Sequence, residues 1–521
     1  MKKSLVSGSL LLCIIVSTAQ NKTAADYAPL ITPTILKSYL TVLTSDEFAG
    51  RETSTPGEQK AADYVAAQWK SFGLKSFSKT KNYLQKYPVV RDSMTTEQLT
   101  FGNNVYTVGP RFAMGTNASF SKKVKANELV FVGYGISDSA YDDYNGKDVK
   151  GKIVVIASGE PMNADSTYLL SGTRRNSSWT DNKKNFEAKS RGAKAIITFS
   201  TSPEISDIAR RFLTRNALKY NPIKLPLNVA TVSQSVMDSL FGKEVFGQIW
   251  GLAKNKKFLN GLTVKPVLVK TTLEYEEDIQ KRKANNVIGY IKGSEKPDEY
   301  VFLTAHMDHL GADGKNIYHG ADDDGSGTSS VIAAANAFSA AYKEGNGPKR
   351  SIIFMTVSGE EKGLWGSEYA TSHPVVDLDN VSADINIDMV GRIDPKRKNG
   401  DSLNYVYAVG SDKISTEMKP LMEKINKATG NLELDYKFDD PRDRERIYFR
   451  SDHYNFAKNG VPIVFLYNGS HPDYHRITDT IDKINFELMA KRAKLAFNLA
   501  WELANRDSLL TRDLPIPTAT R

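Results

Sequence analysis

Carboxylates and imidazoles recur in this sequence where a short apolar run has just ended. His306 and Asp308 follow Tyr300 to Ala305, Glu360 and Glu361 follow Ser351 to Val357, and Asp388 follows Ala383 to Ile387. Asp322, Asp323 and Asp324 precede an apolar stretch opening at Ser326, and His475 lies in Pro472 to Arg476, after Val461 to Tyr467. About three or four oxygen and nitrogen ligands with one position left open suit a catalytic zinc ion, and a carboxylate that bridges suits a pair of ions. Thiolates are not available for this, because the one cysteine, Cys13, falls in an N-terminal segment expected to be removed. Singly, each residue is ordinary. A histidine at a strand end usually plays a hydrogen-bonding role, and Asp-Asp-Asp-Gly before a helix is the composition of a turn with a cap. A calcium loop would need an acid at position 320 and a glutamate at 331; Gly320 and Val331 stand there, so that reading fails.

The elements that must position these residues form an alternating series. Apolar strands are expected at Asn286 to Ile291, Tyr300 to Ala305, Ser351 to Val357, Ala383 to Ile387, Tyr405 to Val409 and Val461 to Tyr467. Helices are expected at Ser326 to Ala341 and over a last segment whose Met489, Ala493, Ala496, Ala500 and Leu503 share one face. Continuous apolar strands separated by helices imply an α/β fold with a mixed, mainly parallel sheet covered by helices on both faces. In such sheets ligands collect beyond the carboxyl ends of the strands. Upstream, a helix runs from Pro33 to Thr44 behind the N-cap Thr32, and another spans Pro56 to Phe72 with Gly73 after it. Between them and the catalytic series, residues 105 to 275 change texture to short strands at Glu128 to Ile136, Lys152 to Ala157 and Ala195 to Ser200, with a helix near Phe186 to Gly192. This segment reads as an inserted, smaller α/β domain. The divisions are thus 1–19, 20–104, 105–275 and 276–521. Gly146 to Lys152 fits half of a phosphate-binding loop, but Ile153 replaces the required hydroxyl and a strand follows where a helix should open.

The stretches His306-Met-Asp308, Gly320-Ala-Asp-Asp-Asp-Gly-Ser-Gly327, Ser358-Gly-Glu-Glu361 with Gly363-Leu-Trp-Gly-Ser367, Asn386-Ile-Asp388-Met and Tyr474-His475 together resemble the di-zinc aminopeptidase family of metallopeptidases, metallopeptidase family twenty-eight. Glutamate carboxypeptidases belong to it as well. The resemblance covers the third region and the N-terminal helical segment with Ser45 to Arg51, and implies a phosphorylase/hydrolase-like zinc exopeptidase fold. It implies that His306 and Asp388 bind one zinc ion and Glu361 and His475 the other. Asp323 is implied as the bridge because the family's bridging Asp stands three residues before the Ser of a Ser-Gly pair, here Ser326. An unusual cis peptide beside that Asp is implied too. The inserted segment resembles a protease-associated domain through the strand at Gly151-Lys152 and the stretch Ala188 to Ala193.

Adjacent side chains on an extended segment point to opposite sides, so Glu361 can face metal while Glu360 faces the water between two ions. Glu360 is then the general base, taking a proton from water whose pKa zinc lowers to about 7 and returning it to the leaving amine. Asp308 is expected to accept the second N–H of the His306 ring and fix its tautomer without touching metal. Asp322 and Asp324 read as turn and helix-start residues and Ser326 as the N-cap of the long helix. His309, His319, His373, His453 and His471 are set aside as ligands. Tyr474 is a candidate oxyanion donor, and Arg442, Arg444, Arg446 and Arg450 either recognise a substrate carboxylate or belong to an exposed loop with Asp443 and Glu445.

The remaining composition fits an enzyme of this kind. Of 521 residues, 40% are hydrophobic and 25% charged, enough for a large core and too patterned for disorder. The net charge of +9 is spread along the chain, and no basic stripe or nucleic-acid motif accompanies it, so nucleic acid is not an expected partner. Met1 to Ala19 has the shape of a secretory signal: Lys2 and Lys3, an apolar run from Leu10 to Val16, then Ser17, Thr18 and Ala19. Leu12 precedes Cys13 where a lipoprotein signal would carry a small residue, which argues against lipidation. No downstream run is long enough to span a bilayer. The expectation is an exported, periplasmic or secreted, aminopeptidase with two zinc ions, acting on peptides. Its rivals are a carboxypeptidase or dipeptidase of the same family, a one-zinc glutaminyl cyclase, and a silent binding protein on the same fold. The complete ligand set counts against the last two. Oligomeric state and preferred terminal residue stay open.

Overall fold

Alternating side chains sort the central strands onto two apolar layers. The computed structural model describes residues 22–114, 122–199, 203–206, 218–221, 225–440 and 442–517, with only the backbone for 92–96 and 277. The signal-like segment Met1 to Ala19, including Cys13, lies outside the described residues. Two compact units are present: residues up to Tyr87 with those from Ala284 onward, and residues Pro88–Lys283. The second is wider at both ends than the 105–275 segment marked by texture, because the chain passes between units inside the long strands Leu84–Phe101 and Val267–Ile291.

In the first unit the elements are α1 (Pro33–Leu43), α2 (Pro56–Phe72), β1 (Val267–Ile291, from Ala284 onward in this unit), β2 (Lys296–His306), α3 (Gly327–Lys343), β3 (Arg350–Val357), β4 (Val381–Ile387), β5 (Tyr405–Val409), β6 (Glu433–Asp435), β7 (Ile463–Tyr467) and α4 (Phe486–Asn505). The sheet runs in the order β6-β5-β7-β4-β2-β3-β1. Strands β3, β2, β4 and β7 are mutually parallel in sequence across the sheet, while β1 and β5 pair antiparallel with β3 and β7. Val301, Leu303 and Ala305 of β2 face a core shared with α1, α2, α3 and α4, whereas Phe302 faces an opposite core with the helices Trp365–Ser372 and His453–Ala457. Burial on both faces explains why these strands read as unbroken apolar runs. Helix α2 has the bounds its punctuation signalled: Thr55 caps Glu58 N–H, Pro56 opens it, and Gly73 closes it in the left-handed conformation.

The second unit is also α/β. Lys123–Phe131, Ile153–Ala157, Ala195–Phe199 and Asn228–Val232 lie parallel, with Phe112–Met114 antiparallel at the edge. Gly151 and Lys152 lead straight into a strand, and the Lys152 amine pairs with Glu128 and Asp148. Among the described residues no helix is long and apolar enough to cross a membrane.

Candidate metal centre

The parallel strands of the first unit release their chains at one edge, and the acids and imidazoles converge there. His306 ends β2, Glu360 and Glu361 follow β3, Asp388 follows β4, and His475 comes from the loop after β7. Asp323 is brought in by the turn ahead of α3. Its carboxylate faces two ways. Oδ1 lies 3.2 Å from His306 Nε2, which is also 3.6 Å from Asp388 Oδ1. Oδ2 lies 3.2 Å from His475 Nε2, which is 3.0 Å from Glu361 Oε2. His306, Asp323 and Asp388 each offer a ligand atom within 4.8 Å of the others, and so do His309, Asp323 and Glu361.

The acidic turn is held by its own neighbours. Asp324 accepts N–H groups from His306, Gly327 and Met389, tying the end of β2, the start of α3 and the residue after Asp388 to one carboxylate. It therefore caps α3. The N-cap role expected of Ser326 is corrected: its hydroxyl donates to Asp322 and accepts the Val390 N–H, making no cap bond. Asp322 accepts Gly391 N–H and lies 3.2 Å from His471 Nε2. A cis peptide joins Asp323 to Asp324. Two glycines make the approach feasible: a Cβ on Gly327 would lie 2.1 Å from Ile387 O, and one on Gly320 2.5 Å from the His309 ring. Arg51, buried, donates to the carbonyls of Leu43, Met307, His319 and Gly320, pinning both segments that flank the centre.

Asp308 differs from expectation. The His306 ring meets the main-chain carbonyl of Asp308, with Nδ1 at 3.0 Å, while the Asp308 carboxylate stays 3.8 Å away. That carboxylate instead accepts the Thr53 hydroxyl at 2.6 Å and the Glu360 main-chain N–H at 3.2 Å. Two-residue spacing puts the carbonyl closer to the ring than the side chain that shares its residue. The tautomer is thus set by the backbone, and the Asp308 carboxylate positions Glu360.

Burial and crowding shift the protons of the cluster. Burial pulls His475 down, but Asp323 and Glu361 outweigh it and raise it to about 10. His306 is likewise lowered by burial and raised further by Asp388 and Glu360, ending well above its ordinary value. Asp323 is held well below the usual carboxylate range, the imidazoles overcoming burial. Glu360 is pushed well up by burial and by Glu361 and Asp388. His306 Nε2, Asp323 Oδ2 and Glu361 Oε1 are buried without a hydrogen bond of good geometry. Buried acids and imidazoles aimed at a common point with unused lone pairs form a donor set that fits borderline-soft divalent cations such as zinc.

The profile of peptidase family M28 matches residues 286–500, the span that carries all five of these donors and Glu360. Residues 286–500 are thus similar to peptidase family M28. A protein named probable leucine aminopeptidase from Arthroderma otae is 30% identical over 215 residues, 40% of this chain and 55% of that one. One named probable glutamate carboxypeptidase VP8 from Zea mays is 30% identical over 230 residues, 42% of this chain and 29% of that one. The chain thus spans about half or less of these relatives. In fold it resembles the aminopeptidase from Aneurinibacillus sp. strain AM-1, with TM-score 0.54 and 18% identity over 96% of this chain and 100% of that one.

Within the M28 segment the other histidines separate. His453 is buried with Nε2 2.8 Å from Tyr448 O, and burial lowers it to about 3. His319 meets Thr44 O, and His373 stacks on Tyr369. His309 is the one that sequence reasoning passed over. It is buried, with Nδ1 2.7 Å from Glu361 Oε1 and 3.7 Å from Asp323 Oδ2. Its spacing of three from His306 was the available signal. The Glu361 side of the cluster therefore has two imidazoles, with His309 enclosed and His475 38% exposed toward solvent. A pocket opens on the centre, with Asp323, Glu360 and Asp388 among its lining residues.

Proposed function

We propose that the chain is an exported zinc-dependent aminopeptidase that removes residues from peptide N-termini at a two-ion centre. His306 and Asp388 would hold one ion, Glu361 and His475 the other, and Asp323 both. The carrying observation is the Asp323 carboxylate, whose two oxygens face two separate donor groups. The names of the fungal relatives support the aminopeptidase choice. Bound zinc would supply Lewis acidity, polarising a carbonyl and making water nucleophilic near neutral pH.

The chain's own groups do the proton work. Glu360 lines the pocket with its side chain 12% exposed, and its main-chain N–H is tethered to Asp308. Its carboxylate takes one proton from the attacking water as the water oxygen bonds to the peptide carbon. The same proton passes to the amide nitrogen as the C–N bond breaks, so the amine leaves neutral. Ser451 donates to Asp388 Oδ2 at 2.6 Å and fixes that ligand's orientation. Export rests on the signal-like Met1 to Ala19. We take the 88–283 unit as a protease-associated insert on the strength of its strand at Gly151-Lys152 and the Ala188 to Ala193 stretch.

Glu360→Gln should cut turnover by at least about 10²-fold while leaving zinc content unchanged. A panel of amino-acid amides, N-blocked peptides and dipeptides should show a requirement for a free amine. Normal turnover in the variant, or hydrolysis indifferent to chelation, would refute the mechanism, and hydrolysis of N-blocked peptides from the carboxyl end would favour a carboxypeptidase.

A further inference from the structure

The pocket beside the centre carries a charge that the hydrolytic chemistry does not use. Its lining mixes Met389, Ile447, Phe465 and Tyr467 with the acids Asp323, Glu360 and Asp388. Arg450 is the cation among its lining residues. The guanidinium makes one hydrogen bond, Nη2 to the Tyr474 hydroxyl at 3.3 Å, and among the described residues it pairs with no carboxylate. Other arginines nearby are engaged: Arg442 with Asp440 at 2.9 Å and Arg392 with Asp473 at 3.0 Å.

The position of Arg450 is fixed from both sides. Its N–H closes a turn on Ile447 O at 3.0 Å. The next residue, Ser451, accepts from Asn386 and donates to Asp388, so the backbone beside Arg450 is bonded to the candidate metal centre itself. Tyr474, which receives the guanidinium, stacks on His475 at 3.8 Å. Arg450, among the lining residues, presents a planar fork of donors that suits a carboxylate.

We infer that Arg450 is a specificity-determining residue that binds a carboxylate of the peptide substrate, beside the scissile bond. The inference rests on the peptidase reading of the same pocket. Two sources share this chemistry: the side chain of an acidic terminal residue, and the α-carboxylate of a dipeptide.

The test uses the zinc-loaded full chain in the Glu360→Gln background, which spares the amide probes from hydrolysis, with Arg450 intact or changed as Arg450→Met and Arg450→Lys. Three probes are titrated by calorimetry: isoglutamine, with only a side-chain carboxylate, leucine, with only an α-carboxylate, and leucinamide, with neither. The chain with Arg450 intact should bind one of the first two more tightly than leucinamide. Arg450→Met should weaken that probe by about 10- to 100-fold, the range for a charge-assisted pair, and leave leucinamide within about 3-fold. Arg450→Lys should fall between. The probe affected identifies the source. The matching kinetic pairs, with Glu360 intact, are Glu- against Gln-p-nitroanilide and Leu-Gly against Leu-Gly amide. Equal binding of all three probes by the chain with Arg450 intact, or equal losses across them in Arg450→Met, would overturn the inference. Failure of the peptidase reading would look different: no peptide would be turned over, while the dependence of carboxylate binding on Arg450 persisted.

Discussion

Replacing Glu58 with glutamine should flatten the response of stability to pH. Glu58 is the third residue of α2 and is 1% exposed, its carboxylate accepting the Asn285 main-chain N–H at 3.0 Å and the Asn285 amide at 3.1 Å. Burial raises it from 4.5 to about 8, more than the bonds from Asn285 pull it down. Between those values the folded chain keeps a proton that the unfolded chain releases. The folded state then binds more protons, so stability contributed by this group is full below 4.5 and is lost as pH rises through 8. The gap corresponds to roughly 3–5 kcal/mol. Glutamine keeps the volume and an acceptor, and the Asn285 Oδ1, buried without a partner, offers its new N–H a place to donate. Thermal unfolding of wild type and E58Q should give similar midpoints near pH 5, with the variant higher by several degrees near pH 9. Taking the difference at each pH cancels titrations common to both proteins. Parallel curves from pH 5 to 9, or a variant less stable at pH 9, would refute the reasoning.

Other expectations follow from the supports of the centre. Asp308→Ala should lower kcat by about 10-fold or more, since Glu360 loses its tether, yet change zinc affinity in chelator competition by less than about 10-fold because the backbone carbonyl still holds His306. Asp308→Asn, which keeps an acceptor for the Glu360 N–H, should be milder in kcat. Arg51→Met strands three buried carbonyls and one half-buried one, and should cost about 3–5 kcal/mol, read as a lowered unfolding midpoint.

Strand ends were legible because apolar runs stop where the chain leaves a doubly buried sheet, and the donors stand directly after those stops. Helix α2 was legible from Pro56 and Gly73. What the sequence could not show depends on three-dimensional registration. Asp308 sits two residues from His306, and only coordinates reveal that its carbonyl reaches the ring while its carboxylate turns to Thr53 and Glu360. Ser326 has the composition of a cap, yet it is the Asp324 carboxylate that accepts the Gly327 N–H. His309 was hidden beside Asp308 in a short stretch of which one histidine already had a role. Among four arginines in an irregular segment, nothing in composition singled out Arg450. The unit Pro88–Lys283 differs in its limits from 105–275 because strands that cross a division have no break in their pattern.

The most direct measurement is anomalous diffraction at the zinc absorption edge from crystals of the purified protein. Two peaks are expected, one beside His306 and Asp388 and one beside Glu361 and His475, with the Asp323 carboxylate between them. A single peak, or none in zinc-supplemented crystals, would contradict a centre bridged by Asp323.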